Sequence, residues 1–324
     1  MSQTTANSEL LIRSEVWDAQ LKEIILDELN GYGWVNWIDF PDGTTWTRPS
    51  VGQATVRDYV EDNEIQFDAL DQGEFQLTVT DYKSAANYIT DKNKQDSYYA
   101  AQLEASFVPK QARALQEVLE SSILGLAAAG ASGGQTVSDL NTINGGDHRW
   151  TTAGTTGVIQ TKDFAKVVYS LKKANVGTRV IGIVDPSVEY QLNTLTNIVD
   201  VSNNPRWEGI IADGLVTDMK FMKSVYGIDL YVSNRLPAAG AAQDGAETID
   251  SVAIASGGVC NAFFSIADTE NLPFIGAWRQ QPTVEGFRNT IRKRDEYSTT
   301  ARYGLKVYRP ENLVVVINNS GTIA

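Results

Sequence analysis

The sequence has few of the residues that build disulfides, metal centres and catalytic triads. It contains one cysteine, Cys260, and one histidine, His148. A single cysteine excludes an internal disulfide and is typical of a chain that folds in a reducing cytoplasm. Because small and apolar residues flank it, we predict that Cys260 is buried and unreactive. His148 lies in a glycine-rich loop without a partner for a zinc site, and we expect it to be solvated.

Signatures of enzymes are missing as well. There is no Gly-x-Ser-x-Gly motif, and the glycine-rich region at 127–157 has no Gly-Lys-Ser/Thr of a phosphate-binding loop. The composition is compatible with a two-carboxylate glycosidase, since Asp and Glu number 40, but the sequence indicates no particular pair of carboxylates as catalytic. We therefore predict a protein that is not an enzyme and has no catalytic, metal or cofactor-binding residues.

Long apolar runs and a basic, apolar leader are also missing, so we expect no membrane span and no signal peptide. The net charge of −13 argues against a surface that grips nucleic acid broadly, because phosphate binding needs clustered cations. At 324 residues with 42% hydrophobic content, the chain is long enough to bury a core in two or more lobes.

One acidic stretch contains no cation. No Lys or Arg occurs from Asp58 to Tyr82. The same stretch carries eight acidic residues, which are Asp58, Glu61, Asp62, Glu64, Asp68, Asp71, Glu74 and Asp81. Their spacing does not fit a helix-loop-helix calcium site, which also needs a glycine at its turn. We predict a solvated acidic hairpin with strands at 53–60 and 74–80, the second of which alternates apolar and polar side chains.

The longest helical pattern covers residues 96–126. The residues of one face, most of them apolar, recur at steps of three and four: Tyr99, Leu103, Phe107, Leu115, Val118, Leu119, Ser122 and Leu126. The opposite face carries charged residues, among them Glu117 and Glu120, and is expected to stay in water. Pro109 deletes a backbone hydrogen bond inside the helix, so we predict a bend at 105–109.

Mixed helices and strands surround this helix. The N-terminal region predicts a helix at 8–29, followed by a connector rich in tryptophan that packs either on its own core or on a neighbour. After the long helix come a helix from Thr161, a buried strand at 179–184 and a helix from Asp185 to about residue 195. This strand–helix succession continues around 215–226 and 228–232. An alternating strand at 298–308 and an apolar strand at 313–317 close the chain.

The region from Phe287 onward is the one basic stretch of this acidic chain. Its cations are Arg288, Arg292, Lys293, Arg294, Arg302, Lys306 and Arg309.

In this order, the segments resemble the tailed-bacteriophage major capsid proteins of the Hong Kong 97-like fold. The resemblance is carried by the segments RVIGIVDPSVEYQL at 179–192, GIDLYVSNRLP at 227–237 and IGAWRQQPTVE at 275–285, followed by the basic strand. It implies an α+β fold. The implied parts are an N-terminal arm at 1–48, an extended loop at 49–93, a peripheral domain at 94–160 and 281–312 with spine helix 96–126, and an axial domain at 161–280 to which 313–324 returns.

The resemblance also implies a function. Members of this family assemble as pentamers and hexamers into an icosahedral shell around double-stranded DNA, which they contact non-specifically, in the cytoplasm of the host bacterium. A portal protein, a scaffolding protein and sometimes a decoration or cement protein are implied partners. The scaffolding protein is expected to be separate, because the chain has no long helical N-terminal extension. An encapsulin-type shell that holds cargo enzymes is the main alternative, and an uncharacterised monomeric enzyme is the third.

Two hypotheses concern particular residues. In this fold the extended loop lies over a neighbouring subunit, so the acidic loop residues Asp58, Glu61, Asp62, Glu64, Asp68, Asp71 and Glu74 are predicted to meet the basic residues Arg288, Arg292, Arg294 and Arg302 across subunits. The alternative is that both are solvated faces. The second hypothesis is that Pro109 is a hinge of the spine helix during shell expansion.

Overall fold

The structure is a computed structural model. It describes residues 29, 31–40, 42–52, 54, 56–59, 61–62, 64, 67, 69, 72–97, 100–128, 142–152, 158–177, 179–194, 216–218, 221–238 and 258–319. The predicted helix at 8–29 lies outside this part of the chain except for its last residue, and Asp68, Asp71 and Tyr99 also lie outside it.

The described residues form helices and strands as follows. The helices are α1 (Asp91–Asp96), α2 (Ala100–Gly125), α3 (Thr161–Lys173) and α4 (Pro186–Thr194). The strands are β1 (Val35–Asp39), β2 (Thr45–Val51), β3 (Gln72–Thr78), β4 (Asp81–Thr90), β5 (Thr142–Ile143), β6 (Gly146–Asp147), β7 (Arg149–Thr151), β8 (Val180–Val184), β9 (Val216–Asp218), β10 (Phe221–Val225), β11 (Ile228–Val232), β12 (Gly258–Ser265), β13 (Phe274–Asn289), β14 (Arg294–Val307) and β15 (Val314–Asn319).

The predicted long helix is present as α2, which has 26 residues and a length of about 39 Å at the usual rise. It begins at Ala100 and not at residue 96, because the preceding α1 is a separate helix whose C-cap, Ser97, is extended. Val118, predicted to face the core, is 42% exposed, whereas Ile123 is fully buried. The buried row follows steps of four residues from Phe107, so Val118 falls to one side of it.

A four-stranded sheet in the order β1-β13-β14-β4 packs one face against α2. The predicted alternation of the basic strand is confirmed in β14, where Thr299, Ala301 and Tyr303 are buried. The tryptophan-rich connector packs within the chain, since β1 lies parallel to β13 and Trp37 stacks on Trp278 with ring centroids 4.9 Å apart.

A seven-stranded sheet in the order β7-β15-β12-β8-β11-β10-β9 forms the second large unit of the fold. All five residues of β8 are buried, which confirms the predicted strand, and α3 and α4 confirm the predicted helices that flank it. The expected strand–helix repeat after residue 215 is wrong in the described residues, which form strands β9 to β11. The β10–β11 turn uses Tyr226 (φ 53°) and Gly227 (φ 79°), the positive-φ pair that a tight hairpin requires.

Strands β2 and β3 pair as a separate two-stranded ribbon. The predicted strand at 74–80 is therefore present within one or two residues, but its predicted partner at 53–60 is wrong. The partner is β2, in which Trp46 lies opposite Leu77 and packs edge-on against Phe75, while Val56 is 94% exposed. None of the helices in the described residues combines the length and apolar composition needed to cross a bilayer.

Candidate assembly interface

The acidic loop, which we define as residues 52–71, connects β2 to β3 in the ribbon. All its described residues are exposed, including the predicted interface residues Asp58, Glu61, Asp62 and Glu64. Two apolar side chains among the described loop residues are equally uncovered, since Val56 and Phe67 are each 94% exposed. Exposed apolar side chains in a loop are typical of a surface that another molecule covers. Glu74, the last residue of the predicted acidic set, is exposed on β3, where it accepts a hydrogen bond from Gln76 Nε2 at 2.7 Å.

The four predicted basic residues do not form one patch. Cross-strand partners in an antiparallel sheet point to the same face, and Arg288 lies opposite Asp295 in the row that faces α2. Arg302, opposite Tyr82, and Arg294 lie on the other face, while Arg292 is exposed in the turn after β13. The strict alternation of a β-strand therefore separates side chains that are neighbours in the sequence.

The side of the sheet away from α2 is covered near Ile275 and Ala277 by Leu77 and Val79. The rest of this side is the open face, which we define by Tyr82, Tyr88, Phe287, Arg294 and Arg302. Its aromatic rings are more than half exposed, at 61% for Tyr82, 58% for Tyr88 and 65% for Phe287. Arg294 lies 4.3 Å from the ring centroid of Tyr88 and donates to Glu296 at 2.5 Å. This combination of aromatic rings and arginines is the composition enriched in protein–protein contacts.

On the helix side of the sheet, charged residues pair within the subunit. The Arg288 guanidinium donates to both carboxylate oxygens of Asp91, at 2.6 and 2.7 Å, and to Asp295 at 2.8 Å. Lys94 donates to Asp295 at 2.6 Å and to Glu104 at 2.7 Å.

These hydrogen bonds shift the pKa values of the acidic side chains that accept them. The hydrogen bond from Arg288 lowers the pKa of Asp91, and hydrogen bonds from Lys94 lower the pKa values of Glu104 and Asp295. The same partners raise the pKa of Lys94. The charged forms are therefore the ones that the folded subunit favours.

Pro109 lies on the exposed side of α2, where water can solvate the carbonyl that its missing N–H leaves open. Two residues further on, Gln111 is buried and fully hydrogen-bonded. Its amide nitrogen donates to Asn87 Oδ1 at 2.9 Å and Tyr297 O at 3.0 Å, and its oxygen accepts from Thr299 at 2.8 Å. The helix is thus anchored to β4 and β14 immediately beside the predicted hinge.

One residue of α2 that was predicted to face solvent is buried. Glu120 is 3% exposed and accepts a hydrogen bond from the Gly31 N–H at 3.1 Å. The contact joins the C-terminal part of α2 to the residues that lead into β1. Its partner lies 89 residues away in the sequence. Helical periodicity cannot detect such a contact.

Neither His148 nor Cys260 forms a catalytic arrangement. His148 was expected to be solvated but is fully buried, with its ring nitrogens 3.0 Å from Gly146 O and 3.1 Å from Glu311 O. Cys260 is buried as predicted, and burial raises the pKa of its thiol to about 12, so it is protonated at neutral pH. Within the described ranges, no three His, Cys, Asp or Glu side chains are grouped as a metal site requires.

Comparison with solved structures finds the same fold in phage capsids. A structure of Mycobacterium phage Che8 is 18% identical, covering 94% of this chain and 96% of that one, with a TM-score of 0.66. The capsid of cyanophage P-SCSP1u is 14% identical with a TM-score of 0.69, covering 97% of this chain and 94% of that one. The mature capsid of bacteriophage PhiM1 is 12% identical with a TM-score of 0.69, covering 98% and 96%. The predicted Hong Kong 97-like fold class is thereby confirmed.

A search of curated proteins finds no match. A family model described as "Phage capsid protein" matches residues 77–316, which is more than half of the chain. Family and fold agree on a multi-subunit shell of the virion, and they do not favour the encapsulin or enzyme alternatives. The chain belongs to the phage capsid protein family and is a structural, non-enzymatic major capsid protein.

Proposed function

We propose that copies of this chain assemble as pentamers and hexamers into an icosahedral shell around double-stranded DNA, in the cytoplasm of the host bacterium. The functional parts are the arm at 1–48, the extended loop at 49–93, the peripheral domain at 94–160 and 281–312, and the axial domain at 161–280 with 313–324. A separate scaffolding protein, a portal protein and, in some shells, a decoration protein are the partners. The net charge of −13 favours loose, non-specific contact with packaged DNA.

Within this shell, the acidic loop of one subunit lies against the open face of a neighbour. The observation that carries this proposal is the exposure of Phe67 and Val56, at 94% each, beside exposed carboxylates in a loop that has no Lys or Arg from Asp58 onward. The open face offers aromatic surface and the arginines Arg294 and Arg302, with Arg292 in the adjoining turn. Apolar contact supplies affinity, and opposite charge selects the register of the contact.

The four basic residues of the sequence prediction have two different roles in this proposal. Arg292, Arg294 and Arg302 are on or beside the surface that receives the loop. Arg288 faces α2 and forms its ion pairs inside its own subunit. Exposed ion pairs contribute about 0 to 1 kcal/mol each, so the arginines act through repetition over many copies, and shell stability falls as salt rises.

Charge reversal tests this contact. Arg302→Glu should reduce the yield of closed shells, and so should Glu61→Lys with Glu64→Lys, because each places like charges together. Combining the three changes should recover part of the yield. Sedimentation and negative-stain microscopy at low and high salt measure the yield.

The control is Glu270→Lys, a charge reversal at an exposed residue that belongs to neither surface. Full yield from both reversed variants at low salt would show that the loop and the open face are only solvated.

The spine helix bends at Pro109 differently before and after shell expansion. This hinge is supported by the position of Pro109, which is exposed beside the anchored Gln111. The anchor concentrates bending of the helix on its N-terminal side. Pro109→Ala restores a backbone donor and should slow or block expansion while leaving assembly intact. Expansion of the variant shells at the normal rate, followed by sedimentation, would contradict the hinge.

A further inference from the structure

A connected set of charged side chains lies at the corner where α1, α2, β13 and β14 meet. We call it the corner network. It consists of Asp91 and Lys94 on α1, Glu104 on α2, Arg288 on β13, and Asp295 and Tyr297 on β14, with Lys293 in the adjoining turn.

The hydrogen bonds of the network form one continuous path. Arg288 binds both oxygens of Asp91 and one oxygen of Asp295, whose second oxygen accepts from Lys94. Lys94 continues to Glu104, and that carboxylate also accepts from the Tyr297 hydroxyl at 2.7 Å. Cation and anion alternate along this path. A network of this kind fixes geometry better than an isolated surface pair does.

The helix that the network holds is short. Helix α1 has six residues, none of them buried, and a helix of that length is not stable by itself in water. Among the described residues it is also held by the Thr90 side-chain cap and by the Asp91 N–H, which donates to Lys293 O at 3.0 Å. The ties to Arg288, Asp295 and Glu104 therefore decide where α1 lies relative to the β13–β14 hairpin and the start of α2.

The tip of the hairpin is the part of the subunit that this placement controls. The turn after β13 carries Ile291, which is 94% exposed, and Phe287 just before it is 65% exposed. Apolar side chains exposed close together, as Ile291 and Phe287 are at this end of the hairpin, are typical of a contact surface. The network acts on the tip directly, because Arg288 and Asp295 form the cross-strand pair next to the last pair of the hairpin, Asn289 and Arg294.

We propose that the corner network is a positioning device for assembly, which holds α1 and the hairpin at the angle that lets the tip meet a neighbouring copy. In this assignment Arg288 acts through Asp91 and Asp295 of its own chain and not through the acidic loop of another subunit. The inference rests on the shell-forming function and is independent of the loop contact proposed above.

A mutant cycle tests the assignment, because Asp91 belongs to the corner network and not to the acidic loop. Arg288→Gln, Asp91→Asn and the double variant should each lower hydrogen-exchange protection of residues 91–97 in the unassembled subunit by about tenfold, with the double no worse than the singles. Shell yield should fall in the same three variants. Arg292→Gln removes an equal charge from the exposed turn and should leave the protection unchanged.

The pH profile of shell formation gives a second readout that lost packing alone would not move. Asp295 is held charged by two cations, and Arg288→Gln removes one of them. The acid loss of shell formation should therefore begin at a higher pH in this variant than in the wild type. The proposal is overturned if Asp91→Asn leaves protection and yield unchanged while Arg288→Gln lowers yield, because Arg288 then acts across subunits. It is also overturned if the double variant shows the sum of the two single effects.

Discussion

The acidic loop and the four-stranded sheet arrange their side chains in opposite ways. In the sheet, Phe274 is fully buried and Arg288 is paired with two acids of its own chain. In the loop, Phe67 is 94% exposed and its described acidic residues all face solvent. The helix side of the sheet is thus satisfied within one subunit, whereas the loop, like the open face of the sheet, leaves large apolar side chains exposed. A shell subunit needs both kinds of region, one to hold its shape and one to join its neighbours.

Truncating one phenylalanine in each region should give the largest difference in subunit stability between the sheet and the loop. Phe274→Ala leaves a cavity beside the main core and should lower the free energy of unfolding of the subunit by about 3–5 kcal/mol. Phe67→Ala should change it by less than about 0.5 kcal/mol, because the side chain is already in water. Denaturant unfolding of unassembled protein measures both. Shell yield should fall for Phe67→Ala although the subunit is stable, and a large loss of subunit stability in that variant would contradict the comparison.

The buried glutamine on the spine helix should give the next largest effect. Gln111→Ala leaves Asn87 and Thr299 without their partners and should cost about 1–3 kcal/mol of unfolding free energy. Gln116, exposed on the same helix, is the matched control, and Gln116→Ala should be nearly neutral. Equal effects of the two substitutions would show that the anchor beside Pro109 contributes nothing.

Acid should remove the contribution of the corner network. The pKa values of Asp91, Glu104 and Asp295 are lowered in the folded subunit, so the stabilisation is present above the ordinary carboxyl value of about 4 and is lost as pH falls through the lowered values. The melting temperature of wild type should exceed that of Arg288→Gln near neutral pH, and the two should converge in strong acid. A difference that stays constant with pH would place the role of Arg288 in packing.

Thiol labelling tests the same comparison with the smallest expected effect on the stability of the subunit. Cys260 is fully buried with a raised pKa and should not react in the native subunit. A cysteine introduced at Ala69→Cys, an exposed loop position, should react quickly in the free subunit and slowly in assembled shells. Equal reaction rates before and after assembly would show that the loop stays in solvent. The internal Cys260 serves as the control for unfolding.

Local patterns predicted the elements that bury one face or both faces along their length. The period of α2, the apolar run of β8 and the alternation of β14 were all recognisable, because burial of one face imposes a repeat on the residues themselves. The strand at 53–60 was mispredicted, since pairing with β3 is decided by Trp46 and its contact with Phe75, and not by alternation within the strand.

Contacts between distant segments could not be predicted in the same way. Glu120 is buried because its partner is Gly31, and Arg288 is occupied because Asp91 lies 197 residues away in the sequence and beside it in space. The basic stretch looked like one patch because its charges are clustered in the sequence. The alternation of β14 and its register with β13 and β4 divide them between two faces.

The most direct test is a cryo-electron microscopy reconstruction of particles formed by the purified protein with its natural assembly partners. The account predicts a closed shell of pentamers and hexamers in which residues 54–69 of one subunit lie on Tyr82, Tyr88 and Arg302 of a neighbour, while Arg288 contacts Asp91 of its own chain. A shell in which the loop lies in solvent, or in which Arg288 pairs with the acidic loop of another subunit, would contradict it.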